Sequence, residues 1–101
     1  MIHPASDLDE VVHQRVRLGI LAVLAEADRV EFTYLRDRLE VTDGNLNRHL
    51  QVLADAGFIR IEKRPHGRSR TWILATKPGR VALGLHLERL QQIIDGAKEA
   101  Q

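Results

Sequence analysis

The stretch Thr42-Asp43-Gly44-Asn45-Leu46-Asn47-Arg48-His49-Leu50-Gln51-Val52-Leu53-Ala54-Asp55-Ala56-Gly57 decides how this chain of 101 residues folds. Thr42 is a good N-cap, because its hydroxyl can accept from a backbone N–H of the first helical turn. Leu46, Leu50 and Leu53 recur at i, i+4 and i+7, which predicts one narrow buried stripe on a helix from 42 to about 56. Gly57 supplies the stop, since the residue just past a helix commonly takes a left-handed conformation. With the leucines inward, Gly44, Asn45, Arg48, Gln51, Val52 and Asp55 lie outward or flanking.

Toward the N-terminus, Thr33 to Leu39 reads as a short helix, with Thr33 as cap and Phe32, Leu35 and Leu39 on one face. Glu40-Val41 is the link to the helix at 42, and Val30-Glu31 is a brief extended piece. A longer helix is expected over 8–25. Val12, Val16, Ile20 and Leu24 repeat every four residues, and Leu8, Val11, Leu18 and Leu21 mark a second stripe. Ser6 or Asp7 would cap it, and Asp7, Asp9 and Glu10 suit the positive end of its dipole. From Val16 to Ala25 it is apolar nearly all round, interrupted mainly by Arg17. That predicts cover on both sides, from its own domain and from a partner chain.

Toward the C-terminus, Phe58–Lys63 and Thr71–Leu74 are rich in β-formers. Between them Arg64-Pro65-His66-Gly67-Arg68-Ser69-Arg70 is a turn-rich, basic connection, so the pair reads as a hairpin. Thr76 caps a last helix over 77–95, with Pro78 in the first turn, where proline is tolerated. Leu83, Leu87, Leu90 and Ile94 form a seam along it, widened by Leu85 and Ile93.

The order helix, (strand), helix, helix, strand, wing, strand, helix is mainly α with a small β-hairpin: a winged helix-turn-helix, as one domain over 1–101. In that arrangement the second helix of the pair keeps one face dry and offers the other to the major groove of DNA. Asn and Gln can pair bidentately with adenine, and Arg with guanine or phosphate. Gly44 lets the start of the helix approach the backbone closely. The candidate DNA-binding residues on the helix are therefore Thr42, Gly44, Asn45, Asn47, Arg48 and Gln51. Asp43 runs against the pattern, since DNA repels an acid, and its position suits a cap instead. On the wing the candidates are Lys63, Arg64, His66, Arg68 and Arg70. So many cations in one hairpin repel one another unless a phosphate backbone pairs with them. Arg68, beside Gly67, suits the tip and the minor groove.

Charge distribution points the same way. Net charge is only +1, but residues 58–80 carry seven bases against one acid, Glu62, while residues 1–47 carry nine acids against five bases. One face is thereby suited to a polyanion. A composition 44% hydrophobic and 29% charged excludes a disordered chain. No apolar run reaches the roughly 20 residues of a membrane span, and the start Met1-Ile2-His3-Pro4 lacks a secretion-signal layout. With no cysteine, thiolate zinc sites, disulfides and cysteine nucleophiles are excluded, which fits a cytoplasmic protein.

The runs Phe32-Thr33-Tyr34-Leu35-Arg36, Thr42 to Leu50 and Leu53 to Ile59 resemble the small stand-alone winged-helix transcriptional regulators related to the MarR and ArsR groups. Arg70-Thr71-Trp72 with Thr76-Lys77-Pro78-Gly79-Arg80 is similar to their second wing strand and final-helix start. The resemblance covers roughly residues 10–95. It implies binding of operator DNA as a homodimer paired through the first and last helices, which would place Val12, Val16, Ile20, Leu83, Leu87, Leu90 and Ile94 at the dimer interface. Glu40 departs from the pattern, where a small residue or glycine is expected before the recognition helix.

Three other readings compete. A winged helix that binds protein would usually lose the basic wing, and this chain keeps it. A metal-responsive repressor needs clustered ligands, whereas the five histidines show no zinc-site spacing. His13 and His86 read as unrelated surface or interface histidines, with a meeting at a dimer interface as the alternative; His49 reads as a packed, hydrogen-bonded residue, and Trp72 as a core or wing anchor. A small-molecule effector between the first and last helices would sit among apolar residues that packing already explains. No catalytic motif, cofactor or metal site is expected.

Overall fold

Three caps set the frame of the computed structural model, which describes residues 3–64 and 70–101. Thr42 Oγ1 accepts from Asn45 N–H at 3.1 Å, starting a helix at Asp43. Thr76 Oγ1 accepts from Gly79 N–H at 3.1 Å, starting another at Lys77. Gly57, at φ 81, turns the chain out of the first of these into a strand. The elements are α1 (Arg15–Ala25), β1 (Val30–Glu31), α2 (Phe32–Leu39), α3 (Asp43–Asp55), β2 (Ile59–Arg64), β3 (Arg70–Ala75) and α4 (Lys77–Glu99), after a 3₁₀ turn at Pro4–Asp7. This is the winged-helix order that the sequence predicts.

The three strands form one antiparallel sheet in the order β1-β3-β2. Val30 pairs with Ile73, and the β2–β3 ladder runs from Ile59–Ala75 to Arg64–Arg70. Ile59 and Ile73 point into the core, which also takes Ile20, Leu21, Leu24, Leu35, Leu46, Leu50 and Leu53. A fully buried aliphatic side chain of this kind stabilises by about 1.5–3 kcal/mol.

Three local expectations change. The first helix begins at Arg15, not near Leu8. Asp9 Oδ1 accepts from Val11 N–H at 2.8 Å, diverting the backbone into a turn, and Gln14 is extended and caps α1 by accepting from Arg17 N–H at 2.9 Å. Ser6 and Asp7 therefore cap nothing in α1. The short α2 starts one residue early, at Phe32, so Thr33 lies inside it, and Glu31 occupies the cap position without a side-chain bond to the helix. The last helix passes through Gly96 to Glu99. The buried side of α1, made of Val16, Ile20, Leu21, Val23 and Leu24, packs against this chain's own α2, α3, α4 and β3, while Ala22 and Ala25 stay exposed.

Val12, Val16, Ile20 and Leu83 accordingly lie inside the protomer, between 0% and 7% exposed. His13 and His86 meet within one chain, with Nδ1 of the first 3.1 Å from Nε2 of the second. This contact fastens the segment before α1 to α4. His86 is fully buried, and its Nδ1 has no partner among the described residues. Glu40 takes φ 52, ending α2 with Val41 N–H donating to Arg36 O at 3.2 Å. The departure noted at that position is thus a left-handed corner occupied by a residue with a Cβ. Among the described residues no helix is long and apolar enough to cross a membrane.

Candidate nucleic-acid interface

Leu46, His49, Leu50 and Leu53 fix the inner face of α3. Its opposite face carries Gly44, Asn47, Arg48 and Gln51, all exposed, while Asn45 is half-buried. Thr42, exposed at the helix start, uses its hydroxyl as the cap. Gln51 donates to Asp55 at 2.8 Å, one turn along. Arg48 has no carboxylate partner among the described residues.

Beside α3 stands the β2–β3 hairpin, where Lys63 and Arg64 are exposed and also lack an ion pair among the described residues. Between helix and hairpin lies a cleft of about 500 Å³, lined by Phe32, Asn47, Leu50, Gln51, Ile61, Lys63 and Thr71. It brings one candidate cation of the wing and two candidate amides of α3 to a shared concave rim. Arg70 behaves differently from its strand partner Arg64. Its guanidinium donates to Glu31 of β1 at 3.2 Å, which ties the base of the wing to the domain. His66 and Arg68 lie outside the described residues.

His49, expected to be packed, is 8% exposed, and its Nδ1 stands 3.1 Å from an Arg17 guanidinium nitrogen. Arginine can only donate, so the imidazole accepts and is neutral. Burial first, then the charges of Arg17 and Arg48, hold its pKa below the ordinary histidine value. Trp72 is half-buried in β3, with the Arg29 guanidinium 4.2 Å from its ring centroid. It anchors the wing sheet on the side facing away from α3, in a second cleft with Val23, Val30 and Tyr34.

Two positions matter that sequence reasoning passes over. Arg17, read only as an interruption of an apolar run, holds the back of α3. Arg36 of α2 donates to Asp37 at 3.0 Å and to Asp43 at 3.1 Å, so it offsets part of the charge of the acid at the mouth of α3. Those two carboxylates, Asp37 foremost, raise its pKa further. A lone base in an apolar helix was the available signal for Arg17. Nothing local marks Arg36, whose partner is seven residues away across the turn.

Similarity to known proteins agrees with this geometry. Residues 16–94 match the family model described as a winged helix DNA-binding domain. An uncharacterised protein of Methanocaldococcus jannaschii is 38% identical over 85 residues, spanning 83% of this chain and 92% of its own. A structure titled as a transcriptional regulator homologue of Pyrococcus horikoshii superposes with TM-score 0.90 at 28% identity, over 95% of this chain and 98% of that one. A MarR family transcriptional regulator of Streptomyces coelicolor, solved in complex with DNA, shares the fold with TM-score 0.68 at 23% identity, over 91% and 68%. From its helix order, its hairpin and the match over 16–94, the chain belongs to the winged helix DNA-binding domain family.

Proposed function

We propose that this protein regulates transcription by binding specific duplex DNA as a homodimer, with α3 in the major groove and the wing along the phosphate backbone. The observation that carries the reading is the juxtaposition of the outer face of α3 with the Lys63–Arg64 end of the hairpin across one cleft. A recognition helix supplies amide and guanidinium groups to base edges, and an adjacent basic hairpin supplies charge to phosphates. Thr42, Gly44, Asn45, Asn47, Arg48 and Gln51 take the first role. Lys63, Arg64, His66 and Arg68 take the second, while Arg70 braces the hairpin. The relatives support the reading, since one is titled a transcriptional regulator homologue and another was solved on DNA.

Dimerisation in this reading uses the outer stripe of α4, because the inner one is occupied by the domain itself. Leu87 and Ile94 are 51% and 44% exposed, with half-buried Leu90 between them. A helix of 23 residues is about 34 Å long, enough to carry two domains toward half-sites about one DNA turn apart.

The test is fluorescence anisotropy on genomic duplexes across a salt series. If each protomer neutralises about three phosphates, affinity falls by about 10³ between 50 and 200 mM salt. Lys63→Ala and Arg64→Ala weaken all duplexes and flatten that slope, whereas Arg48→Ala acts mainly on the selected sequence. Absence of binding by the folded protein at low salt would refute the reading.

A further inference from the structure

Asp43 needs an explanation that capping does not provide. Thr42 already accepts the first-turn N–H, so the carboxylate of Asp43 is not the helix cap. Its side chain is 65% exposed at the end of α3 that leads into the groove, where a bare acid would oppose binding. The fold does not leave it bare. The guanidinium of Arg36, one-third exposed, reaches across the turn from α2 and holds Oδ1 at 3.1 Å, while its Nε is held by Asp37 at 3.0 Å. The carboxylate is therefore fixed in direction by a base that is itself fixed. Its Oδ2 has no partner among the described residues.

Resting on the DNA-binding reading, we infer that Asp43 is a specificity-determining residue that accepts a hydrogen bond from the exocyclic amino group of a cytosine, and that Arg36 is the positioning residue that aims it. A carboxylate can only accept, and in the major groove the cytosine edge offers an N4 amino donor, whereas guanine offers O6 and N7 acceptors that would repel it. A fixed carboxylate at the first helical position thus favours cytosine, whose N4 donor stands alone on its edge, over adenine, whose N6 donor lies beside the N7 acceptor, and it penalises guanine. Arg36 lowers the electrostatic cost of carrying an acid there without removing the acceptor.

Selection of bound duplexes from a random pool, followed by sequencing, tests this with wild type, Asp43→Ala, Asp43→Asn, Arg36→Gln and Arg36→Lys. Thermal melting checks that each variant is folded. Wild type should prefer cytosine at one position of each half-site. Asp43→Ala should lower that preference about tenfold, while affinity for random duplex rises. Asp43→Asn, which can donate as well as accept, should tolerate guanine there. Arg36→Gln should lose the same single preference while still binding, and Arg36→Lys should retain part of it. Unchanged base preference in both Asp43 variants would overturn the assignment. Loss of affinity for all sequences alike in Arg36→Gln, with the cytosine preference intact, would overturn the positioning role. Failure of folded wild type to bind any duplex would instead refute the DNA-binding reading on which both rest.

Discussion

Gly79, at the third position of α4, should be the least replaceable glycine among the described residues, against what helix propensity alone would say. Alanine is the better helix former by about 1 kcal/mol, so Gly79→Ala on an open helix should stabilise. Here an added Cβ would fall on the Phe58 carbonyl oxygen at 2.0 Å and within 3.0 Å of the Phe58 Cα. These are backbone atoms with no rotamer to adjust, so the start of α4 must lift away from the chain entering β2. That movement strains or breaks two bonds, Thr76 N–H to Phe58 O at 3.0 Å and Thr76 O–H to Gly57 O at 2.6 Å. Each contributes about 1 kcal/mol. Residual overpacking adds about 1–3 kcal/mol. Set against the propensity gain of about 1 kcal/mol, the net loss is about 2–4 kcal/mol. For a chain of this size that lowers Tm by more than about 10 °C. Urea and thermal unfolding followed by circular dichroism at one fixed protein concentration measure it. Gly84→Ala and Gly96→Ala in the same helix are the internal controls, since nothing lies within 4 Å of either added Cβ. They should be neutral or stabilise by up to about 1 kcal/mol. A Gly79→Ala protein as stable as wild type would refute the close-approach argument.

Two further perturbations address the histidines and the outer stripe of α4. Burial first, then the facing His13, lowers the pKa of His86, with Asp9 opposing and Arg89 adding least, and burial with Arg17 and Arg48 lowers that of His49. The unfolded chain therefore takes up protons first, so stability is full above about pH 6.5 and falls as pH drops through the folded values. Histidine ring NMR should titrate both residues below about 6.5 with Tm falling from pH 7.5 to 5, and a Tm that is flat or rises over that range would contradict the assignment. Leu87→Glu, at a position 51% exposed in the protomer, should leave the far-ultraviolet spectrum unchanged and shift sedimentation from dimer to monomer. A variant that remains dimeric would move the interface elsewhere.

The parts of this fold legible in the sequence are those fixed by neighbours along the chain. Thr42 and Thr76 announce their helices because a cap acts within three residues, and Gly57 marks a stop because its left-handed turn is local. The start of α1 is misread because Val12 keeps the helical rhythm although it is buried from a turn, with the Asp9 carboxylate and Gln14 overriding the pattern. Periodicity also cannot say which body covers a stripe. Leu83 and Leu87 are one turn apart on α4, yet the first is 6% exposed and the second 51%. The charge pairs are hidden for the same reason. Arg70 looks like one more wing cation until the sheet brings Glu31 beside it, thirty-nine residues away in sequence. Residue types suffice to nominate the outer face of α3 and the wing, but long-range pairing shows which nominated cations are already engaged within the fold, as Arg70 is by Glu31.

Arg17 shows what such bracing does for recognition. The leucine stripe of α3 holds the helix against the core, yet apolar contacts are non-directional and tolerate small rotations and slides. A hydrogen bond fixes direction as well as distance. The guanidinium of Arg17 donates to Val11 O at 2.6 Å and Glu10 O at 3.2 Å, and its third nitrogen meets His49 on α3 at 3.1 Å. One planar group thus joins the turn before α1 to the back of α3, and the same turn is fastened to α4 through His13 and His86. The rotation of α3 about its own axis sets where Asn47 and Arg48 point, and the Arg17–His49 bond adds one directional contact to the leucines that hold it. Arg17→Leu would satisfy the apolar pattern of α1 more fully than the native residue does. It would also leave two carbonyls and an imidazole without this donor, at a cost of about 1–3 kcal/mol for each group left buried and unpaired. The basic residue that interrupts the most apolar helix of the chain therefore ties the turn before α1 to the inner face of α3.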